Sequence, residues 1–209
     1  NPSGITRFAF TGRLVDWKAV DLLLDAFKLL LAQSSATLDI LGSGPMRPSL
    51  EAHAKTLGIA EHIKFHGWVA QPQCVSILRE VDALVLPSLY ECGGAVVLEA
   101  MAMGLPVIAS DWGGPADYLD ASSGILVPPR SREQFVKDLA DAMLKLARSP
   151  DLRREMGRAG RRRVEESFDW ERKVDRILEI YAPAKGCFTT EARKHGGACD
   201  AAHASAKKV

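Results

Sequence analysis

Residues 85–118 read VLPSLYECGGAVVLEAMAMGLPVIASDWGGPADY, and this stretch decides the architecture into which the rest of the chain must fit. Its pattern predicts a buried strand, a polar turn, a short helix, a second buried strand and a glycine-rich turn. Two carboxylates, Glu91 and Glu99, stand in its first half, with Gly93 and Gly94 between them. Their position just after a buried strand favours a ligand site.

The same alternation of strands and helices continues on both sides of this stretch. Strands are predicted at 7–12, 36–41, 63–65, 83–86, 106–110 and 125–127. Helices are predicted at 20–31, 47–57, 72–81, 95–103, 132–148, 150–166 and 170–181. Asp16 is predicted to cap the first helix, because its carboxylate can accept an unpaired backbone N–H. The alternation predicts an α/β fold, a Rossmann-like parallel sheet flanked by helices on both faces, whose ligands bind beyond the carboxyl ends of the strands.

The chain is expected to form one such domain over residues 1–182. Residues 183–209 are rich in Ala, Lys and Gly and lack periodicity, so they are expected to be a loosely ordered tail. The chain starts at Asn1 and enters a strand almost at once, which suggests a piece of a longer protein.

Composition excludes several classes of protein. A formal net charge of +1 argues against nucleic-acid binding, which needs a basic surface. No apolar run approaches the roughly 20 residues that span a bilayer. The 4 cysteines form no CxxC pair, which favours a reduced, cytoplasmic setting.

Cations and glycines follow the first two predicted strands. Arg13 and Lys18 would suit a diphosphate, one as a planar fork and the other as a mobile point charge, although taken alone they are more simply solvated surface charges. The turn at 42–45, GSGP, allows close backbone approach to a ligand but is not GxGxxG, so alone it is more simply a plain turn.

The glutamate pair is more informative. Glu99 is predicted one turn into a helix that starts near Ala95, where free N–H groups favour an anion or a polar sugar. Glu99 could accept two hydrogen bonds from a ribose diol, and Glu91 could hold sugar hydroxyls. The simpler alternative is a solvated loop residue and a helix-dipole partner. Glycoside hydrolysis is disfavoured, because no acid in an apolar pocket is identifiable.

Other clusters carry weaker signals. His195, Cys199 and His203 are spaced as on one helix face, but two glycines between them make a metal site there a minor possibility. No other metal-ligand pattern is present in the sequence. The arginine run 161–163 is more simply a solvated helix face than a lipid contact.

Four segments carry motifs in an order that resembles one family. GRLVDWKAVDLLLDAF at 12–27 is similar to GRL-x-x-x-KG-x-x-x-L-x-x-AF, and LDILGSGP at 38–45 to L-x-I-x-G-x-GP. IKFHGWV at 63–69 is similar to V-x-F-x-G-x-V, and residues 88–114 resemble the block that holds the E-x7-E pair. From Phe8 to about Tyr181 the chain resembles the C-terminal, donor-binding half of GT-B fold glycosyltransferases, in particular the retaining family 4.

The resemblance implies a role for each matching residue. Arg13 and Lys18 would bind and stabilise the donor diphosphate, and Glu91 would hold the donor sugar; these are the expected catalytic residues. Glu99 would hold the ribose. Further donor contacts are expected at Gly12, Gly44, Val69, Gly93, Gly94 and Ala95. The Trp68–Val69 turn would border the base. The family needs no tightly held divalent metal and no cofactor beyond the donor, a UDP-, GDP- or ADP-sugar.

The resemblance also implies a second half. An acceptor-binding domain of the same protein is expected before Asn1, with possible peripheral membrane association through it, and this chain is expected to be nearly inactive alone. Two positions depart from the pattern, Cys92–Gly93 after the first glutamate and Ala19 in place of a glycine, so the sugar pocket could be reshaped.

Two alternatives remain open at this point, and a third is excluded. A GT-B nucleotide-sugar epimerase would share the donor features. A non-enzymatic domain that kept the fold is disfavoured by the four charged site residues. A Rossmann oxidoreductase is excluded by the turn GRLVDW after the first strand, which is not GxGxxG.

Overall fold

Six parallel strands form one sheet in the order β3-β2-β1-β4-β5-β6 in the computed structural model, which describes residues 4–182. The strands are β1 Thr6–Thr11, β2 Ala36–Leu41, β3 Ile63–Gly67, β4 Ala83–Leu86, β5 Val107–Ser110 and β6 Gly124–Val127. The predicted fold class is confirmed. The order reverses between β1 and β4, so the ligand crevice typical of such sheets is expected there, beyond the carboxyl ends of the strands.

Eight α-helices occur in the described part of the chain. They are α1 Val20–Leu31, α2 Arg47–Thr56, α3 Gln71–Leu78, α4 Ala95–Ala102, α5 Gly114–Tyr118, α6 Arg132–Arg148, α7 Pro150–Arg163 and α8 Trp170–Tyr181. The predicted helices are all present, with ends that differ by up to three residues, as is usual at frayed termini. The sequence interpretation missed α5, a single turn within the glycine-rich segment.

The core lies on both faces of the sheet. Strands β4 and β5 are buried at every position, as expected for central parallel strands covered on both sides. Phe8 and Phe10 of β1 are fully buried. On one face α1 packs against α6. On the other face α4 packs against α7. The right-handed crossovers of parallel sheets account for this division.

The chain divides into two units between Glu165 and Glu166. In the second, Asp169 caps α8 by accepting the N–H of Glu171 at 3.0 Å. Residues 183–209, predicted to be a loosely ordered tail, lie outside the described residues. No helix within 4–182 has the length and apolar content needed to cross a membrane.

The predicted cap at Asp16 is wrong. Asp16 opens a short 3-10 turn, Asp16–Lys18, and its carboxylate accepts the N–H of the next residue, Trp17, at 2.9 Å. Ala19 instead stands at the start of α1 with a φ of 49°. This is the position where the resembled family has glycine, and a left-handed conformation explains that preference.

A polar network crosses the outer half of the sheet. Asp39 is 3% exposed and pairs with Arg7, whose Nε lies 2.6 Å from Oδ2. His66 Nε2 lies 2.6 Å from Asp39 Oδ1, and Arg7 also contacts Glu80 at 2.8 Å. Burial would raise the pKa of Asp39, but the hydrogen bonds from Arg7 and His66 outweigh it and lower that pKa. Three neighbouring strands are thus joined through one carboxylate.

Ser110, at the carboxyl end of β5, carries the single buried side-chain oxygen without a hydrogen-bond partner among residues 4–182. We expect Ser110→Ala to raise the free energy of unfolding by up to about 1 kcal/mol, because an unpaired buried hydroxyl costs stability. Ser123→Ala is the matched control, since that buried hydroxyl donates to Asp120 at 2.9 Å. It should cost about 1 kcal/mol. Urea unfolding measures both, and equal losses would contradict the prediction.

Candidate active site

Lys18 and Glu91 meet at the crevice between β1 and β4. Lys18 Nζ pairs with Glu91 Oε2, and the Ser88 hydroxyl donates to the same oxygen at 3.2 Å. The side chains of Lys18 and Glu91 are 17% and 11% exposed. The N–H of Leu89 donates to the carbonyl of Trp17 at 2.8 Å, which ties the two loops together. Two residues predicted separately, one for phosphate and one for sugar, therefore form one charged pair.

Glycines after β5 hold the loop that carries Glu91. A Cβ on Gly113 would lie 1.9 Å from the carbonyl oxygen of Glu91, and one on Gly114 would lie 2.1 Å from that of Gly93. The N–H of Gly114 donates to the Cys92 carbonyl at 3.2 Å. The two backbones touch because neither glycine has a side chain. The position of Glu91 thus depends on a loop from the next strand.

The loops after β1 and β2 pack in the same way. A Cβ on Gly42 would lie 1.8 Å from the carbonyl oxygen of Gly12, and one on Gly44 would lie 2.2 Å from that of Leu14. The N–H of Leu14 donates to Ser43 at 3.0 Å. Gly44 therefore supports the loop of Arg13 by close packing, and its contact with a diphosphate stays a prediction.

A cleft of about 290 Å³ opens beside these loops. Its lining includes four of the residues expected to contact the donor, Gly12, Arg13, Trp68 and Val69. Arg13 is exposed at its wall. The full lining is Thr11, Gly12, Arg13, Leu41, Gly42, Ser43, Trp68, Val69 and Cys74. The loops after β1, β2 and β3 thus build one concave surface, as predicted from their positions after strands.

Glu99 lies on α4, which follows the loop that carries Glu91. Gly94 stands at the start of α4 with a φ of 65°, and Ala95 and Glu99 are exposed. Burial raises the pKa of the Cys74 thiol, and the negative charge of Glu99 adds to the rise, while a hydrogen bond with Thr11 opposes it. Glu99 is therefore within electrostatic range of Cys74, which lines the cleft, but is not itself part of the lining.

The arrangement combines the groups that a nucleotide sugar needs. A cation at Arg13 and the free N–H groups of α4 suit phosphate oxygens, whereas the two carboxylates suit hydroxyl donors. The sequence placed Ser88 in the polar stretch after a buried strand but gave it no role, and Thr11 and Cys74 were not singled out as site residues. Cys74 could not have been found, because the facing of α3 depends on tertiary packing.

The residues described contain no group of three or more His, Cys, Asp or Glu side chains placed to hold a metal ion. The weak metal hypothesis for His195, Cys199 and His203 falls outside residues 4–182.

Comparison with known proteins agrees with this geometry. The family model described as "Glycosyl transferases group 1" matches residues 2–163. A D-inositol 3-phosphate glycosyltransferase from Saccharomonospora viridis is 35% identical over 198 residues, which cover 90% of this chain and 45% of the relative. The chain thus spans less than half the length of that relative.

Solved structures share the fold. Sucrose-phosphate synthase from Thermosynechococcus elongatus superposes with a TM-score of 0.75 at 27% identity, covering 90% of this chain and 47% of that one. TarM of S. aureus, in a complex with fondaparinux, α-GlcNAc-glycerol and UDP, has a TM-score of 0.76 at 24% identity. That match covers 85% of this chain and 36% of TarM.

Proposed function

The chain belongs to the group 1 glycosyl transferases, and from that premise we propose that it is the donor-binding half of a retaining enzyme that takes a UDP-, GDP- or ADP-sugar. The observation that carries the proposal is the meeting of Lys18 and Glu91 at the crevice where the strand order reverses. Similarity to TarM, whose structure contains UDP, supports a nucleotide as the ligand.

The donor would lie along the edge of the sheet. The cleft near Glu99 takes the base and ribose, with Val69 at the base. Arg13, Lys18 and the N–H groups at Gly94 and Ala95 take the diphosphate. Glu91 takes hydroxyls of the sugar and, by its contact with Lys18, keeps that cation at the sugar–phosphate junction.

The chemistry follows from where charge develops. Breaking the bond between the anomeric carbon and the phosphate oxygen leaves negative charge on the departing diphosphate. Fixed cations and helix N–H groups that face this charge lower the barrier, because they need no reorganisation during the reaction. Arg13, Lys18 and α4 supply these groups. The acceptor hydroxyl, which forms the new bond, would be presented by a preceding half of the protein.

The proposal extends to the whole protein. Relatives more than twice as long support a preceding domain that binds the acceptor, so the chain alone would transfer sugar poorly or not at all. Retention of anomeric configuration, a cytoplasmic setting and the absence of a metal requirement are parts of the proposal. An epimerase or a non-enzymatic domain is not favoured, since the family and its relatives are transferases.

Calorimetric titration tests the donor site. The chain is titrated with UDP, GDP and ADP and with a sugar adduct of each, and we expect one nucleotide to bind in the micromolar to low-millimolar range. Lys18→Ala should weaken this binding by about 10–100-fold, the loss expected for one charge-assisted contact. Lys28→Ala, which removes an exposed lysine on α1, is the control and should bind like the wild type.

Two outcomes would overturn the proposal. One is that no nucleotide binds to the folded chain. The other is that Lys18→Ala binds as tightly as Lys28→Ala. Rapid sugar transfer by the chain alone would contradict the need for a preceding half and would leave the donor site standing.

A further inference from the structure

The loops around Lys18 and Glu91 carry large aromatic side chains that the proposed donor site does not use. Trp17, Tyr90 and Trp112 are 46%, 67% and 49% exposed. Exposed tryptophan and tyrosine are enriched at binding surfaces, because a bound partner removes their apolar surface from water and can hydrogen-bond to their polar atoms. These three side chains are called the aromatic lip.

The aromatic lip converges on Glu91 although its members follow three different strands. Trp17 follows β1, and its carbonyl accepts the N–H of Leu89 at 2.8 Å, one residue before Tyr90. Trp112 follows β5 and precedes Gly113, whose missing Cβ lets the backbone approach the Glu91 carbonyl. All three loops therefore meet at the residue that is proposed to hold the donor sugar.

Each member of the aromatic lip is next to a carboxylate in the sequence. The pairs are Asp16–Trp17, Tyr90–Glu91 and Asp111–Trp112. Asp16 and Asp111 are exposed. Because a pyranose has a C–H face and a rim of hydroxyl donors, aromatic rings with carboxylates beside them match it. The exposed carboxylates of Asp16 and Asp111 disfavour a phosphate or another anionic group beside these rings, whereas the charge of Glu91 is paired with Lys18.

We propose that the aromatic lip stacks on a pyranose ring of the acceptor, which the preceding half also holds, so that the acceptor is a glycan or glycoside. This inference rests on the proposed function, since it needs a donor sugar at Glu91 for the acceptor to meet. It names the substrate class for the second side of the same site. None of its three members is among the residues proposed to contact the diphosphate, so we expect nucleotide binding not to depend on it.

Saturation-transfer NMR on the 209-residue chain tests this directly. The chain is saturated with the nucleotide identified by calorimetry, and methyl β-glucopyranoside and methyl N-acetyl-β-glucosaminide are the probes, with glycerol 3-phosphate as an anionic comparison. We expect transfer to the C–H face of a glycoside and none to glycerol 3-phosphate. Trp112→Ala should weaken the signal by about fivefold, the value of one aromatic contact of 1 kcal/mol.

Two further variants separate stacking from structure. Trp112→Phe keeps an aromatic face and should restore most of the signal. Trp170→Ala removes a tryptophan that is 75% exposed on α8 and should leave the signal unchanged. Calorimetry on Trp112→Ala should give wild-type affinity for both the nucleotide and its sugar adduct.

Three results would overturn the inference. They are no transfer to either glycoside, equal transfer in Trp112→Ala and the wild type, and weaker binding of the sugar adduct in Trp112→Ala, which would put the donor sugar on the lip. In each case wild-type nucleotide binding would remain. Failure of the proposed function would instead appear as a wild-type chain that binds no nucleotide.

Discussion

Asp39→Asn is expected to lower the free energy of unfolding by about 3–5 kcal/mol, the range for removing one charged partner of a buried ion pair. Asp39 is 3% exposed. Its Oδ2 accepts a hydrogen bond from Arg7 Nε at 2.6 Å, and its Oδ1 lies 2.6 Å from His66 Nε2. An amide keeps the shape of the side chain but removes the charge that faces Arg7. The loss should therefore come from a guanidinium that keeps only its contact with the exposed Glu80, and not from a cavity. Urea unfolding followed by circular dichroism measures it.

The pH dependence of stability gives a second readout for Asp39. The pKa of Asp39 is lowered in the folded chain. In the unfolded chain the same carboxyl has the ordinary pKa of about 3.9, so it binds a proton more readily there. The stabilisation from Asp39 is thus fully present above the unfolded pKa and is lost as the pH falls through the folded pKa. Asp39→Asn should show a shallower loss of stability below about pH 4 than the wild type.

Asp141→Asn is the control for this change, because Asp141 is an exposed carboxylate on α6. It should alter stability by less than about 0.5 kcal/mol. If Asp39→Asn behaves like this control at neutral pH, or keeps the full acid dependence of the wild type, the Arg7–Asp39–His66 network does not carry the stability assigned to it.

Gly113→Ala is expected to lower the free energy of unfolding by about 3 kcal/mol, through two effects. The backbone of Gly113 has a φ of 59° and a ψ of -144°, close to a region that only glycine adopts readily, where a Cβ costs about 1–3 kcal/mol. A Cβ there would also lie 1.9 Å from the carbonyl oxygen of Glu91, so the two loops must separate, at a further cost of about 1–3 kcal/mol. Thermal and urea unfolding measure the sum.

Gly58→Ala measures the cost of a positive φ without a clash. Gly58 has a φ of 69°, and a Cβ there would meet nothing within 4 Å, so this variant should lose only about 1 kcal/mol. The additional loss in Gly113→Ala comes from its glycine-only backbone region and from separating the Gly113 and Glu91 loops. Because Glu91 moves with its loop, Gly113→Ala should also weaken binding of the sugar nucleotide more than binding of the nucleotide alone. Equal stability losses in the two variants would contradict the clash.

The fold was predictable because its signals are local and repeated. Apolar runs such as β4 and β5 are bounded by glycine and proline. In segments such as α1 and α6, the apolar residues recur with the spacing of one helix face. The short helix α5 was missed because GGPADY reads as a turn when its proline and glycines are considered alone. The cap at Asp16 failed because the chain makes a 3-10 turn before α1 begins.

The sequence predicted which residues lie at the candidate site, but not which of them contact each other. Residues after parallel strands must share one edge of the sheet, so Arg13, Lys18, Glu91 and Glu99 could be assigned to one region. Their roles toward a donor remain predictions for the titrations above to test. Nothing in the sequence indicated that Lys18 would contact Glu91, 73 positions away, or that Ser88 would share the same oxygen.

The sequence by itself determined the α/β class, the parallel sheet, the family and the edge on which the polar residues lie, because each depends on local periodicity and on motifs read along the chain. Only the tertiary structure decided which of these residues touch. Contacts such as Lys18 with Glu91, or Gly113 with the Glu91 backbone, join loops from different strands. Strand order, sheet twist and the packing of helices set such distances together, and no local pattern encodes them.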